Sequence, residues 1–233
     1  MSEMQGELES VFPERPVEPR VFVEDVIPAL FAGVELSAED RAAELLLGVS
    51  LVGAGGGEWT LHFVEGELGI GSRLRPDCDL TLVQTVEDWR SALWEGRPGI
   101  VSDLVRVAFR GVGLADVGEP DSLASGLVGL SSGGPPDPAT VAELRSLRGC
   151  IEIRFAGTSS PGADWRLAIV LGPGPVPAQP DATITLDEAE AEAMRQGTLH
   201  PLDALMTGRL RLEGDLGLVL QIQALALRAS FAR

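Results

Sequence analysis

Four short motifs occur twice along the chain in the same order, and this internal repetition constrains the fold more than any bulk property does. Trp59-Thr60-Leu61 is matched by Trp165-Arg166-Leu167, and Pro76-Asp77-Cys78-Asp79-Leu80-Thr81-Leu82 by Pro180-Asp181-Ala182-Thr183-Ile184-Thr185-Leu186. Gly96 pairs with Gly197 and Gly111 with Gly214. The offsets of 106, 104, 101 and 103 residues differ by the few positions that changes in loop length introduce. Repetition of this kind predicts two copies of one unit, with residues 37–115 superposing on 140–228. Ser131-Ser132-Gly133-Gly134-Pro135-Pro136-Asp137-Pro138 is the strongest breaker cluster and marks the linker between them. The division is then a tail (1–20), a first domain (21–130), the linker (131–138) and a second domain (139–233). Residues 1–20 hold five glutamates and three prolines, too little apolar surface to order themselves, and are expected to be mobile.

Each half reads as a helix, a hairpin, a third strand and a second helix. Ser37 with Asp40 opens a helix through Arg41-Ala42-Ala43-Glu44-Leu45-Leu46-Leu47, and Thr140 to Leu144 is its counterpart. Gly48–Val52 with Trp59–Val64, and Ile151–Phe155 with Trp165–Leu171, read as hairpins across Gly/Ser-rich connections. Leu80-Thr81-Leu82 and Ile184-Thr185-Leu186 alternate with period two, as a third strand does. A helix from Val86 to Glu95 carries Trp89 and Trp94, read as core aromatics in preference to an exposed anchor for a partner. Its counterpart spans Glu188 to Arg195, with Asp187 as N-cap and Gly197 closing it. Arg209-Leu210-Arg211-Leu212-Glu213 alternates as a half-buried strand. Asp215 to Arg228 fits either period, and its length with Asp215 as N-cap favours a helix.

Composition narrows the function classes. The 233 residues include 35 acidic against 18 basic side chains, a formal charge of −17. Nucleic-acid binding, driven by release of phosphate counterions, has the wrong electrostatic sign. Firm docking on anionic membranes is opposed in the same way, leaving at most transient contact through an apolar patch. Cys78 and Cys150 lack any metal or redox spacing and read as small buried hydrophobes. With no signal-like or membrane-spanning apolar run, the expected location is the cytoplasm.

No chemistry-bearing constellation stands out. Gly53-Ala54-Gly55-Gly56-Gly57 precedes a Trp-led strand and lacks the Gly-Lys-Ser/Thr of a phosphate loop, so it reads as a hairpin turn. Gly66, Gly69 and Gly71 lack the dinucleotide-binding spacing. His62 and His200 lie far from any nucleophile motif. Asp77 and Asp79 share one face of a strand entrance and read as solvent-side residues rather than metal ligands. The chain is therefore read as non-enzymatic, with no cofactor. The surplus of apolar residues over Leu216 to Leu227 asks for a tunnel, an inter-copy interface or a dimer contact.

Residues Val141 to Leu227 resemble the sterol-carrier-protein-2-like (SCP2-like) family. The resemblance is carried by Pro180 to Leu186, the helix ending at Gly197, the block Pro201-Leu202-Asp203-Ala204-Leu205-Met206-Thr207-Gly208-Arg209-Leu210-Arg211-Leu212-Glu213-Gly214-Asp215, and Trp165 on its strand. It implies a mixed α/β (α+β) fold, a sheet covered by helices that leave an apolar tunnel for a sterol, fatty acid or acyl-CoA. The tunnel would be lined by Ile184, Leu186, Met194, Leu205, Met206, Leu210, Leu212, Leu218 and Ile222. The first half departs from the pattern. Leu104-Val105-Arg106-Val107-Ala108-Phe109-Arg110-Gly111 lacks the Met206-Thr207-Gly208 step, Val112 stands in the place of Asp215, and Pro120 interrupts the stretch from Gly113 to Leu130. The partner implied is a lipid or other apolar small molecule. The alternative is a scaffold or accessory module with filled cavities, serving a homodimer or a protein partner.

Overall fold

The computed structural model describes residues 11–34, 36, 38–110, 138–160, 163–196 and 198–231. Among the described residues, alternating apolar and short polar residues produce eight strands: β1 (Leu45–Val52), β2 (Gly57–Val64), β3 (Glu67–Gly71), β4 (Leu80–Thr85), β5 (Gly149–Ser160), β6 (Ala163–Leu171), β7 (Ala182–Asp187) and β8 (Arg211–Gly214). They form a single mixed sheet in the order β3-β2-β1-β4-β6-β5-β7-β8. The helices are α1 (Pro19–Val21), running through a π-helical stretch Phe22–Val26 into α2 (Ile27–Ala32), then α3 (Ala38–Ala42), α4 (Val86–Arg90), α5 (Gly99–Arg110), α6 (Pro138–Leu144), α7 (Glu188–Arg195), α8 (Pro201–Met206) and α9 (Leu216–Phe231). A second π-helical stretch, Ser91–Glu95, continues from α4. This is the expected mixed α/β fold of a sheet covered by helices.

Strand register decides which side chains share a face. Leu47 is paired with Leu61 and Leu80, Leu80 with Leu171, Ile151 with Ile169 and Ala182, and Ile184 with Leu212. Because side chains alternate across a strand, these residues and their i±2 neighbours line one side of the whole sheet. That side is apolar and carries the helices: Val141, Leu144, Ala191, Met194, Ala204, Leu218 and Leu225 pack on it in one cluster, Val23 and Val86 in another. The opposite side presents Ser50, Thr60, His62, Thr81, Glu152, Arg154, Thr183 and Thr185. Ser50, Thr60, Thr81 and Thr183 on this more polar side are nonetheless buried, Thr60 beneath the loop after β3, whose Arg75 N–H its hydroxyl accepts at 2.9 Å.

The hairpin-plus-parallel-strand arrangement occurs in both halves. Val49 lies opposite Trp59 and Phe155 opposite Trp165, while Leu47 runs parallel beside Leu80 and Ile153 beside Ile184. Both indole N–H groups donate inside the fold, Trp59 to the Glu24 carboxylate at 3.0 Å and Trp165 to the Asp88 carbonyl at 2.8 Å.

Several sequence expectations need correction. Leu45-Leu46-Leu47, read as the end of a helix, belongs to β1, because a three-leucine run has no period of its own and the ladder to Phe63, His62 and Leu61 decides it. β3 is a strand beyond those expected, although Leu68 and Ile70 alternate with its glycines. Residues 104–110, read as the first-half counterpart of the strand at Arg209, lie in α5. The edge of β4 that such a strand would occupy is filled antiparallel by β6, just as β8 fills the edge of β7. Residues 11–20, assigned to a mobile tail, are packed instead. Phe12 is buried against Phe22 and Trp94, and the Trp94 indole donates to the Pro13 carbonyl at 2.8 Å. Residues 1–10, Ser37, Gly111, the linker residues 131–137 and Gly197 lie outside the described residues.

Candidate functional site

The site implied by the resemblance lies between the apolar face of β5–β8 and helices α6–α9. Leu186 on β7, Met194 on α7, Leu210 before β8 and Leu218 on α9 are buried in one cluster, with Ile184, Leu212 and Ile222 half-buried against it. Two alanines outside the expected lining, Ala191 on α7 and Ala204 on α8, are fully buried at 0% exposure. There the helix backbones approach the core with only a methyl group between. Leu205 and Met206 do not join the cluster. They are 37% and 78% exposed, because α8 is a short helix that turns Ala204 inward and these neighbours outward.

α9 is a helix, and its start explains why. The Asp215 carboxylate accepts from the Leu218 N–H at 3.1 Å, satisfying one of the orphan donors of the first turn. Its inner face is Leu218, Val219 and Leu225, whereas Leu216 and Leu220 are 48% and 54% exposed. The apolar surplus noted in the sequence thus lies partly on the outside.

A second, polar cleft of about 160 Å³ is lined by Glu44, Leu46, His62, Arg75, Asp77, Asp79 and Arg145. Two ion pairs line it, Arg75 with Asp77 at 2.6 Å and Arg145 with Asp79 at 2.8 Å, and the His62 ring nitrogen lies 3.4 Å from the Glu44 carboxylate. The Asp77 carboxyl is held below its ordinary range by the hydrogen bond from Arg75. The hydrogen bond to Asp79 in turn raises Arg145. Asp79, expected on the solvent side, is buried. It accepts from the Leu46 N–H at 2.9 Å, while its own N–H donates to the Leu46 carbonyl at 2.8 Å. Asp181 and Cys150 make the same clasp at the start of the other parallel pair, both bonds 2.8 Å. Motif matching aligns Asp77 with Asp181, and only the strand register reveals that Asp79 has the role. Arg145 also donates to the Glu44 carbonyl at 3.0 Å, so the cleft straps the end of α6 to the first half. Among the described residues no group of three or more His, Cys, Asp or Glu side chains has metal-binding geometry.

Both thiols are free and buried. Burial, with Asp181 and Glu152 adding to it, pushes Cys150 from the ordinary 9.0 to about 11, and burial raises Cys78 in the same direction. Neither presents a reactive thiolate at neutral pH. No described helix is long and apolar enough to cross a membrane.

Residues 132–227 match the model of the SCP-2 sterol transfer family. A stretch of 54 residues, 23% of the chain, is 37% identical to stomatin-like protein 1 of Mus musculus, and the chain spans 14% of the length of that protein. Among solved structures, the sterol carrier protein domain 2 of Helicoverpa armigera is similar at 21% identity over 38% of this chain and 74% of that one, with a TM-score of 0.29. The apo form of sterol carrier protein 2 from Yarrowia lipolytica is similar at 15% identity over 39% of this chain and 76% of that one, also with a TM-score of 0.29.

Proposed function

We propose that this chain is a non-enzymatic lipid carrier of the cytoplasm. Its second half takes up a sterol, fatty acid or acyl chain between the sheet and helices α7–α9. The observation that carries this reading is the match of residues 132–227 to a sterol transfer family. It falls on the part of the chain where the apolar face of the sheet meets the most apolar helix. Binding would draw on apolar area removed from water, about 25 cal/mol per Å² before ordering costs. The nine apolar side chains expected to line the tunnel remain the proposed lining, with Leu205 and Met206 at its rim because of their exposure. The two halves are proposed to be divergent copies of one unit. The hairpin-plus-parallel-strand arrangement of both halves and the two aspartate clasps support that reading; when the clasps are aligned, Trp59 lies opposite the third residue after Leu46 and Trp165 opposite the fifth after Cys150, two positions apart in register.

A scaffold with a filled core is favoured by one observation, the dense packing of Leu186, Met194, Leu210 and Leu218. Native mass spectrometry of protein purified without detergent, followed by titration with a fluorescent fatty-acid analogue, separates the two readings. Enlarging the half-buried Ile222 to Phe probes the proposed lining better than changing the exposed Leu205 or Met206, and leaves the close helix contact at Ala204 untouched. A carrier loses ligand on this change while largely keeping its melting temperature. In a filled core the same change costs about 1–3 kcal/mol of strain. Wild-type protein with neither co-purified lipid nor fatty-acid binding would overturn the carrier reading.

A further inference from the structure

Residues 11–19, Val-Phe-Pro-Glu-Arg-Pro-Val-Glu-Pro, form a strap on the first half that is held at its two ends. At one end the Phe12 ring is buried, its centroid 5.8 Å from that of Phe22 and 6.0 Å from that of Trp94, and the Trp94 indole N–H donates to the Pro13 carbonyl at 2.8 Å. At the other, Pro19 is buried and the Glu18 carboxylate lies 3.4 Å from Arg90 Nη2. Glu14, Arg15 and Pro16 between them are exposed. The surface under the strap is aromatic. Trp89 on α4 and Trp94 on the π-helical stretch stand edge to face at 5.2 Å, and both pack on Phe22, at 5.4 and 5.6 Å. These rings belong to a cluster separate from the one at the proposed lipid site.

These are the contacts by which proteins read extended peptides. An indole N–H aimed at a proline carbonyl, beside an aromatic ring seated among others, recognises any segment that offers the same two groups. Prolines at 13, 16 and 19 restrict the free segment and reduce the entropy it loses on docking. Glu18 has polyproline II angles, φ −64° and ψ 143°. The strap is nevertheless an incomplete occupant. The Glu18 carboxylate is 67% exposed, while Arg90 Nε is buried with no hydrogen-bond partner among the described residues. A carboxylate that engaged both guanidinium nitrogens would satisfy that donor. We infer that the Trp89–Trp94 surface is a peptide-docking site, closed in this structure by the chain's own residues 11–19. The partner it fits is an extended segment with an aromatic-Pro step followed, five residues after the proline, by Asp or Glu. A second copy is a poorer partner, because its strap offers the same incomplete fit and competes with a tethered strap at an effective concentration on the order of millimolar.

Titration of the full chain with a fluorescein-labelled peptide copying residues 11–19 tests this. In the wild type the tethered strap competes, and binding is weak. Phe12→Ala in the full chain removes the strap's anchor and should raise the affinity for the peptide about tenfold or more. In that background Trp94→Phe keeps a ring but removes the N–H donor, and should lower the affinity about fivefold. Arg90→Gln should lower it about threefold, and a peptide carrying Phe12→Ala should not bind. A folded Phe12→Ala protein that binds the peptide no better than wild type would overturn the inference, as would a gain that survives both Trp94→Phe and Arg90→Gln. A concentration-dependent dimer of the wild type that Phe12→Ala abolishes would also overturn it, since the occupant would then be the strap of a second copy. One measurement needs no variant. The Trp94 indole proton should exchange with solvent through strap opening about a hundredfold or more faster than that of Trp165, which is held by the Asp88 carbonyl in the core. Equal rates would make the strap a permanent part of the fold and refute the docking site.

Discussion

Replacing Gly214 by Ala places a methyl group where the fold has no room for one. Gly214 has φ +85°, and a Cβ built there would lie 2.1 Å from the Asp181 carbonyl oxygen, a backbone atom. That oxygen accepts the Asp215 N–H at 2.8 Å, and Asp181 also clasps Cys150 at the start of β5 and β7. Relief of the contact must move the β7 backbone and release the residue that caps α9. Gly208 supplies the internal control, with φ +73° and no atom within 4 Å of its built Cβ. For Gly208→Ala only the left-handed backbone matters, about 1–2 kcal/mol. Gly214→Ala adds overpacking strain of about 1–3 kcal/mol and a hydrogen bond worth about 1 kcal/mol. The expected losses are therefore about 1–2 against about 3–6 kcal/mol, the larger in the range reserved for specific structural damage. Urea unfolding followed by tryptophan fluorescence, to which the buried Trp165 contributes, measures both. Losses that agree within about 1 kcal/mol would refute the argument that the β8–α9 junction is locked by the Asp181 carbonyl.

Two other perturbations draw on the same geometry. Asp79→Ala leaves the buried Leu46 N–H without its acceptor and should cost about 1–3 kcal/mol. Arg145→Ala removes a half-exposed partner and should cost about 1 kcal/mol or less, so chemical denaturation should rank the two changes in that order. The Cys150 thiol is raised to about 11 in the fold against an ordinary 9.0. Below pH 9 both states keep the proton; between about 9 and 11 only the unfolded chain loses it, so this contribution to stability fades as pH rises through that window. Cys150→Ala should flatten this part of the stability–pH profile, and a profile identical to wild type would show that the thiol is not held neutral by burial.

Local pattern was enough to determine the type of most elements. Period-two alternation marked β4, β7 and β8, Gly/Ser-rich connections marked the hairpins β1–β2 and β5–β6, Asp215 before an apolar run marked α9, and the paired Trp and Pro-Asp motifs marked the two hairpin-plus-strand halves. These signals are short-range: a cap acts within one turn and alternation within one strand. The residues that pack together in the second half, among them Ile184, Leu186, Leu210, Leu212 and Leu218, were named through the family resemblance and not through a local period. Only the tertiary structure decided that β4 and β6 pair, because that contact joins segments far apart in sequence and nothing in either strand specifies its neighbour. The same pairing filled the edge of β4 and left residues 104–110 to the helix. It was strand register, not motif matching, that gave the clasp to Asp79 rather than Asp77. Leu205 and Met206 escaped the core because Ala204, small enough for the backbone to approach the sheet, is the one of these three neighbours that the helix turns inward.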